Sequence, residues 1–515
     1  MEISNRELTC PFCNQKFKPA EILFYADPAE ASFFSSVDSG SEFQAVDASM
    51  RRSSHSGGAS AGRGGRRDRS LFGSDDDDKP AEEAKADEEE QDKGFPLGVQ
   101  VNDYVASEFL KKYGDGESFN FKRTAYFYGI KPENEIGEND TGYGYVISYE
   151  GNDKEKKIPG MLRVPSREEN AIIPQRVCPR CHCDIPDDYF LTDEKNKHHV
   201  ALIGCTSAGK TQYIIVALRE LMDQFDSFLR LGDVRITECS RWFLDMYLRQ
   251  YESGQLAATK MKKLFPFMIS VNPKNSKETY YIRFEDCAGE YASEGVAQRM
   301  YAANLPSLRD AKTLLMMIDC SQFFSNEVHI RESELKCEAP YGQALRPIKD
   351  YNLYENKEHC VTVITKCDGI FDSEYYIHGR TNEVVNDGME MVSTMMNAHR
   401  DKVDTGLIDR VENEMINMLM DRGQPNVKRE IENDLPGVKV KLLPVSTYCL
   451  TTSGGRQKLV YDPKKKAGHF RVIEPLLYLL NQWGIVEGVE KPLPEIPEEE
   501  DIGSKKKGFW IFRRR

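Results

Sequence analysis

The chain has 515 residues, which at roughly 150 residues per domain suggests two or three folded units. Its 69 basic and 83 acidic side chains give a formal net charge of −14, which argues against a general attraction to nucleic acid. No run approaches the ~18 apolar residues that cross a bilayer, and the first residues lack an apolar signal core. We therefore expect a cytoplasmic protein whose thirteen cysteines are thiols or metal ligands rather than disulfides.

Composition divides the N-terminal part of the chain into four segments. Residues 38–94 contain only five large apolar side chains, too few to offset ~1–2 kcal/mol of backbone entropy per residue. We expect them to form a disordered linker, although the basic first half is also suited to binding RNA or a phosphorylation-controlled partner. Residues 95–176 alternate aromatic and polar side chains, which predicts a β-rich insert. The other two segments are cysteine knuckles at 1–37 and 177–195.

Each knuckle contains one cysteine pair of the form C-P-x-C. Such a turn can direct two thiolates at one tetrahedral zinc ion, and two turns complete a set of four ligands. Because 164 residues separate the pairs, we expect a split zinc ribbon interrupted by the linker and the insert. His182 and Cys183 are near enough in sequence to replace the fourth ligand, and a redox pair or buried thiols are the alternatives. The four predicted zinc ligands are Cys10, Cys13, Cys178 and Cys181.

Residues 196–487 alternate apolar strands with helical segments, which predicts an α/β domain with a mostly parallel sheet. An apolar strand at His199–Ile203 runs into the sequence G-x-x-x-x-G-K-T and then into a helix from Gln212 to about Leu231. In such a unit the backbone amides and the helix dipole face a phosphate, the lysine reaches the β- and γ-phosphates, and the threonine binds Mg²⁺. The predicted phosphate-binding residues are Gly204, Ser207, Ala208, Gly209, Lys210 and Thr211.

Two β-like runs, Phe265–Val271 and Tyr280–Asp286, flank a turn-rich segment and predict an antiparallel hairpin. The second run ends in the sequence D-x-x-G. Asp286 can hold Mg²⁺ through water, and the amide of Gly289 can detect a γ-phosphate. We expect this loop to lie beside the phosphate-binding loop.

Further strands at Thr313–Asp319, Cys360–Ile364 and Val438–Val445 lead to two loops that suit a guanine base. A carboxylate at Asp368 can accept hydrogen bonds from guanine N1–H and N2–H₂, whereas adenine leaves it unpaired, a mismatch that can discriminate by ~10⁴–10⁵. An amide after the last strand can meet guanine O6. The alternative is an ATP-using enzyme in which Asp368 lies in an ordinary loop. The predicted base-binding residues are Thr365, Lys366, Asp368, Ser446 and Thr447.

In this order, the loops of residues 196–485 resemble those of the TRAFAC-type (Ras-like) P-loop GTPases. The resemblance implies an α/β fold that binds GTP or GDP with Mg²⁺, hydrolyses GTP to GDP and phosphate, and recruits partners according to nucleotide state. It also implies a Mg²⁺-binding threonine shortly before the hairpin, for which Thr259 fits best. The expected Mg²⁺ ligands are Thr211, Thr259 and Asp286.

Two residues depart from the family pattern. Thr365 stands where the family usually has asparagine, and Glu290 stands where a catalytic glutamine usually follows D-x-x-G. A carboxylate near the γ-phosphate implies that intrinsic hydrolysis is slow or depends on a partner. The expected catalytic residues are Lys210, Thr259 and Glu290. The alternative is a scaffold that binds GTP without hydrolysing it. With its split zinc ribbon and a helical insert at 369–435, the chain resembles the bacterial double-GTPase-type proteins of conflict and defence systems.

Residues 488–515 form an acidic, proline-rich linker followed by a basic-aromatic tail, K-K-K-G-F-W-I-F-R-R-R. Basic residues around an aromatic cluster suit a peripheral contact with an anionic membrane surface. Docking of the tail on the acidic surface of this protein, or on a protein partner, is the alternative. The sequence does not identify a protein partner.

Overall fold

The structure is a computed structural model. It describes residues 5–27, 97–98, 100–113, 121–151, 157–165, 171–186, 188–204, 208–227, 229–252, 265–286, 308–320, 323, 340–367, 402–421, 424–453, 456–460 and 469–490. Within those ranges, no helix combines the length and apolar character that crossing a bilayer requires. The basic-aromatic tail and the linker at 38–94 lie outside them.

The N-terminal part of the chain forms a mixed sheet and a small hairpin. Its elements are β1 (Leu8–Thr9), β2 (Lys16–Phe17), β3 (Leu23–Ala26), β4 (Gln100–Asn102), α1 (Tyr104–Leu110), β5 (Thr124–Ile130), β6 (Tyr143–Glu150), β7 (Ile158–Val164), β8 (Ala171–Ile173) and β9 (Arg176–Val177). The hairpin pairs β1 with β2, and the sheet has the order β8-β7-β6-β5-β3-β9, with β4 beside β5. Since β3 pairs with both β5 and β9, this sheet joins the segments 1–37, 95–176 and 177–195 that composition separates.

The next part of the chain alternates strands and helices. Its elements are β10 (Lys197–Gly204), α2 (Lys210–Gln224), β11 (Gly232–Ile236), α3 (Glu238–Glu252), β12 (Phe267–Pro273), β13 (Tyr280–Asp286), β14 (Thr313–Asp319), α4 (Pro340–Asp350) and β15 (His359–Thr365). The C-terminal elements are β16 (Val403–Asp404), α5 (Thr405–Asp421), α6 (Val427–Asp434), β17 (Lys439–Pro444), β18 (Ser446–Ser453), β19 (Arg456–Val460), β20 (His469–Phe470), α7 (Glu474–Gln482) and β21 (Gly488–Val489).

The central sheet has seven strands in the order β11-β12-β13-β10-β14-β15-β17. Strands β13, β10, β14, β15 and β17 are parallel to one another, and the pairs β11–β12 and β12–β13 are antiparallel. The predictions of a mostly parallel α/β sheet and of an antiparallel hairpin before Asp286 are confirmed. A smaller antiparallel sheet, β19-β18-β20, follows β17.

Both faces of the central sheet are covered, which explains why its inner strands are apolar without alternation. On β10, Val200 and Leu202 belong to one buried cluster, together with side chains from α2, α3 and α7. Ala201 and Ile203 belong to a second cluster, with side chains from α4 and α6. The polar residues of the site are therefore confined to the ends of these strands.

The helix after the phosphate-binding loop is shorter than expected. The apolar pattern predicts a helix to about Leu231, whereas α2 ends at Gln224. The amide of Leu229 instead donates to the Gln224 carbonyl at 2.9 Å, and Arg230 adopts a left-handed conformation with φ of 52°. Leu229 and Leu231 remain buried, so the chain keeps an apolar pattern after it has stopped being helical.

The predicted helical insert at 369–435 is described from residue 402 onward. Helices α5 and α6 pack on β17, the strand at one edge of the sheet. Glu412 on α5 accepts a hydrogen bond from the backbone amide of Leu442 at 2.9 Å and lies 3.0 Å from the Lys441 ammonium. These helices therefore cover an edge that would otherwise expose backbone groups.

Candidate functional site

The candidate nucleotide site lies at the carboxyl edge of the central sheet. The strands β10, β13, β14, β15 and β17 are parallel, so their C-terminal ends meet at one edge. Open α/β sheets bind ligands in the crevice at this edge. The described residues gathered there are Gly204, Asp286, Asp319, Thr365 and Val445.

The backbone of the G-x-x-x-x-G-K-T unit requires its glycines. Gly204 has φ of 149°, and a Cβ there would lie 2.5 Å from the carbonyl oxygen of Met317. Gly209 has φ of 79° and immediately precedes α2. Left-handed backbone and close approach are both conditions that favour glycine. Residues 205–207 between them, including Ser207, lie outside the described part of the chain.

Lys210 and Thr211 begin α2, and both are buried. The Lys210 ammonium donates a hydrogen bond to the Gly204 carbonyl at 3.0 Å, so its side chain folds back over the loop. The backbone amides at the start of a helix have no partners within the helix and can meet an anion. This arrangement of a turn, a lysine and a helix start is suited to phosphate groups.

The first of the predicted base-binding residues, Thr365, contacts the phosphate-binding loop. The Thr365 hydroxyl lies 2.7 Å from the Ala208 carbonyl oxygen and 3.2 Å from that of Ile318. A Cβ on Gly209 would lie 3.8 Å from the same hydroxyl oxygen. The loop after β15 and the loop after β10 are therefore in direct contact.

The segment predicted to be the third loop of the site is only the connection at Val445, because Ser446 and Thr447 already begin β18. This connection with the start of β18, called the third loop below, is attached to the second loop by backbone hydrogen bonds. The amide of Cys367 donates to the Val445 carbonyl at 3.2 Å, and the amide of Val445 donates to the Ile364 carbonyl at 2.8 Å. The Tyr251 hydroxyl donates to the Thr447 carbonyl at 2.6 Å. The last turn of α3 therefore supports the loop predicted to meet the guanine base.

Asp319 and Tyr251 are two site residues that sequence reasoning does not select. Asp319 ends β14 and lies 2.6 Å from the ammonium of Lys366, whose backbone is left-handed with φ of 56°. The position of Asp319 at the end of a predicted strand is a signal that could have identified it. Tyr251 has no comparable signal, because its contact depends on how α3 packs.

Thr211 and Asp286 are the two described residues predicted to bind Mg²⁺. Asp286 is buried, and it pairs in register with Leu202 on β10, two residues before Gly204. Hydroxyl and carboxylate oxygens suit this hard cation, so both residues fit a Mg²⁺ site at the carboxyl edge. Five predicted positions lie outside the described residues, namely Ser207, Thr259, Gly289, Glu290 and Asp368.

The structure also brings the two cysteine pairs together across 164 intervening residues. The Sγ atoms of the four cysteines all lie within 4.8 Å of one another. The Cys10 and Cys181 sulfurs are 3.7 Å apart, and those of Cys13 and Cys178 are 3.8 Å apart. This spacing and the all-thiol donor set fit a tetrahedral zinc ion.

The two knuckles have matching local geometry. The amide of Phe12 donates to the Cys10 sulfur at 3.4 Å, and the amide of Arg180 donates to the Cys178 sulfur at 3.4 Å. Such bonds favour the thiolate form, which is the form that binds metal. Hydrogen bonds from the neighbouring thiols, that of Cys10 first, hold the pKa of Cys13 well below its usual range, whereas burial raises the pKa of Cys10.

His182, one of the two substitute ligands considered for the fourth position, is engaged elsewhere. Its Nδ1 lies 2.7 Å from Asp103 Oδ1. Among the described residues, the group of side chains close enough to share a metal contains the four knuckle cysteines and neither His182 nor Cys183.

No protein-family model matches the chain, and no curated protein matches it. Among solved structures, it is similar to the GTPase-like domain of Ski7 from S. cerevisiae, crystallised bound to GTP. That match has 15% sequence identity and a TM-score of 0.25, and it covers 56% of this chain and 50% of that one. The chain thus spans about half the length of the Ski7 domain, and so remote a match does not identify the fold. The strand order and loop contacts define an α/β protein with a G-x-x-x-x-G-K-T loop at the carboxyl edge of its sheet.

Proposed function

We propose that this chain binds GTP at the carboxyl edge of its central sheet, hydrolyses it to GDP and phosphate, and recruits partners according to nucleotide state. The observation that best supports this proposal is the contact between Thr365 and Ala208. It brings the loop predicted to bind a guanine base against the loop predicted to hold the phosphates. A purine triphosphate can then contact both loops at once.

In the proposed reaction, water attacks the γ-phosphorus in line with the bond to the leaving GDP. Lys210 releases the Gly204 carbonyl and balances the charge that develops on the β- and γ-phosphates. Thr211, Thr259 and Asp286 would hold Mg²⁺, which would neutralise phosphate charge. Glu290 orients the water, and its own negative charge makes intrinsic hydrolysis slow or dependent on a partner.

The test of nucleotide choice is competition between GTP and ATP for the site occupied by a fluorescent GTP analogue. GTP should displace the analogue at least a hundredfold more effectively than ATP, because an adenine base would leave the Asp368 carboxylate unpaired. Equal displacement by the two nucleotides would favour the ATP-using alternative. The Lys210→Ala variant should no longer bind the fluorescent GTP analogue. Lys312→Ala should retain it, because Lys312 lies on the opposite edge of the sheet, paired with Glu358.

Glu290 also supports a second candidate, a GTP-binding scaffold that does not hydrolyse. If the wild type releases several phosphate equivalents per chain and Lys210→Ala releases none, the non-hydrolysing scaffold is excluded. Release of no phosphate by a chain that binds GTP tightly, without a partner, would favour it.

We also propose that the four knuckle cysteines hold one structural zinc ion. All four tetrahedral positions are then filled by protein, so no activated water remains for catalysis. Native mass spectrometry should find one zinc per chain in the wild type and a loss of zinc in Cys13→Ser. The matched control is Cys360→Ser, because Cys360 is a buried thiol on β15, away from the cluster. Equal zinc content in the two variants would contradict the assignment.

A further inference from the structure

The cysteine knuckles contact the same half of the central sheet that ends in Asp286. The first contact is aromatic. The ring of Phe12, between Cys10 and Cys13, stacks on Phe265 with centroids 5.4 Å apart and planes 13° apart. Phe265 in turn stacks on Phe243 of α3 at 4.6 Å and is fully buried. Because Phe265 lies two residues before β12, the tip of the first knuckle is packed where the hairpin of β12 and β13 begins.

The second contact is polar and leads to the end of β13. Asn14 accepts a hydrogen bond from Arg283 Nη1 at 3.2 Å, and Arg283 Nη2 lies 2.9 Å from Glu285 Oε2. The same carboxylate oxygen lies 3.1 Å from His199 Nε2 on β10. Glu285 is only 2% exposed, so its bonds to Arg283 and His199 are largely shielded from water, whereas the bond of Asn14 to Arg283 lies at the surface. Glu285 immediately precedes Asp286. The first knuckle therefore contacts the residues that fix the strand of a predicted Mg²⁺ ligand.

The third contact comes from the second knuckle. The Asp184 carboxylate, three residues after Cys181, accepts hydrogen bonds from the amides of Glu238 at 2.8 Å and Cys239 at 3.1 Å. These are the first two residues of α3, whose free amides favour a negative partner. The other end of α3 holds Thr447 through the Tyr251 hydroxyl. A continuous set of contacts thus extends from the second knuckle to the third loop of the nucleotide site.

We infer that the cysteine cluster and the nucleotide site are thermodynamically linked, so that a zinc ion in the cluster raises the affinity for GTP. This inference rests on the proposed function. A metal ion replaces the close sulfur–sulfur contacts with metal–sulfur bonds that hold together two knuckles distant in sequence. For such a site the free energy of metal binding contributes directly to the free energy of folding. The clamped knuckles hold β12, β13 and α3 in the arrangement that presents Asp286 and Thr447.

Linkage is reciprocal, so the factor by which zinc raises GTP affinity must equal the factor by which GTP raises zinc affinity. The first experiment measures both in the full chain. Zinc-loaded and zinc-depleted protein are titrated with a fluorescent GTP analogue, and zinc release to a chromophoric chelator is followed with and without GTP. We expect both factors to be about 5- to 150-fold, the usual range of such couplings.

The second experiment breaks one contact while keeping all four thiols. Asn14→Gly removes the acceptor for Arg283 and suits the left-handed backbone of Asn14, whose φ is 58°. The matched control is Asn352→Gly, an exposed asparagine with φ of 51° in the loop after α4. At full zinc loading, Asn14→Gly should weaken binding of the GTP analogue by about 2- to 12-fold, whereas Asn352→Gly should not change it.

A second matched pair tests the aromatic contact. Phe12→Leu removes the stack on Phe265, whereas Phe17→Leu makes the same change at a ring that packs against Phe190, 5.9 Å away. Only Phe12→Leu should weaken binding of the GTP analogue at equal zinc content.

The outcomes separate the two proposals. Zinc-loaded wild type that binds no guanine nucleotide would overturn the proposed function. Equal GTP affinity with and without zinc would overturn the linkage alone. If circular dichroism shows that the zinc-depleted chain is unfolded, the two matched pairs of variants at Asn14 and Phe12 test the linkage instead. Unchanged GTP affinity in both Asn14→Gly and Phe12→Leu at full zinc content would then overturn the linkage.

Discussion

The hydroxyl of Thr365 lies 2.7 Å from the carbonyl oxygen of Ala208, although the two residues are 157 positions apart in sequence. Ala208 belongs to the loop after β10, and Thr365 ends β15, two strands away across β14. The contact therefore fixes the spacing between the loop suited to phosphates and the loop suited to a base. A ligand that occupies both loops depends on this spacing.

Removal of the Thr365 hydroxyl should weaken GTP binding more than it weakens folding. Thr365→Val preserves the shape of the side chain but leaves the Ala208 carbonyl without this donor, which costs about 1–2 kcal/mol. Affinity for a fluorescent GTP analogue should fall by roughly 5- to 30-fold, as measured by equilibrium titration. Thr365→Ser should keep most of the affinity, because it retains the hydroxyl.

The matched control for this change is Thr362→Val. Thr362 lies on the same strand and is also buried, but it is three residues from the carboxyl edge. Its replacement should leave GTP affinity unchanged. Equal losses of affinity in Thr362→Val and Thr365→Val would show that both act through the fold, and would remove Thr365 from the site.

Two tyrosines on α3 provide a second comparison. The Tyr251 hydroxyl donates to the Thr447 carbonyl at 2.6 Å, and the Tyr247 hydroxyl, one turn earlier, donates to the Tyr113 carbonyl at 3.0 Å. Each phenylalanine variant loses one hydrogen bond to a backbone carbonyl, worth about 0.5–1.5 kcal/mol. Urea unfolding should show similar losses of stability, but only Tyr251→Phe should weaken GTP binding, by roughly 2- to 12-fold. A larger effect of Tyr247→Phe on GTP binding would contradict the role assigned to the third loop.

Stability should fall in mild acid because His198 is held neutral. Burial lowers the pKa of His198 to about 4, from an ordinary value of 6.5, where it stacks on Trp483 with ring centroids 4.2 Å apart. Between these pH values the unfolded chain binds a proton that the folded chain does not, so the free energy of unfolding decreases as the pH falls. The contribution of His198 is about 2 kcal/mol between pH 7 and pH 5.

The measurement is urea unfolding of wild type and His198→Phe at pH 8, 7, 6 and 5. The variant should lose less stability than the wild type between pH 7 and pH 5. The data at pH 8 serve as the control, because the His198 imidazole is neutral there in both the folded and the unfolded chain. Parallel curves for the two proteins would contradict the assignment. Burial also lowers the pKa of His199 and His359, so part of the decline should remain.

Local patterns were sufficient to predict six of the seven strands of the central sheet, whereas the edge strand β11 (Gly232–Ile236) was not predicted. The strand before Gly204 and the hairpin before Asp286 follow from runs of apolar residues, which report burial on both faces or one face of a sheet. The end of α2 could not be predicted in this way. Leu229 and Leu231 are buried in a turn, and burial alone does not distinguish a turn from a helix.

Contacts between distant parts of the chain were the main features that sequence did not predict. The pairing of Leu23–Ala26 with Thr124–Ile130 depends on a register that no local signal specifies. The stack of Phe12 on Phe265 is equally nonlocal, because an aromatic residue in a knuckle does not identify its partner. The cysteine pairs were an exception, since the strict geometry of four thiolates around one metal makes spacing informative over any distance.

The central claim is that the guanine base of GTP lies beside Asp368, while the phosphates of the same nucleotide lie on the loop at 204–211. Exchange of Asp368 for asparagine tests this most directly, by competition of GTP and xanthosine triphosphate for a bound fluorescent GTP analogue. Xanthine presents a carbonyl at C2, which needs a donor where guanine needs an acceptor. The wild type should prefer GTP, and Asp368→Asn should prefer xanthosine triphosphate. An unchanged preference for GTP in a variant that still binds the analogue would contradict the account.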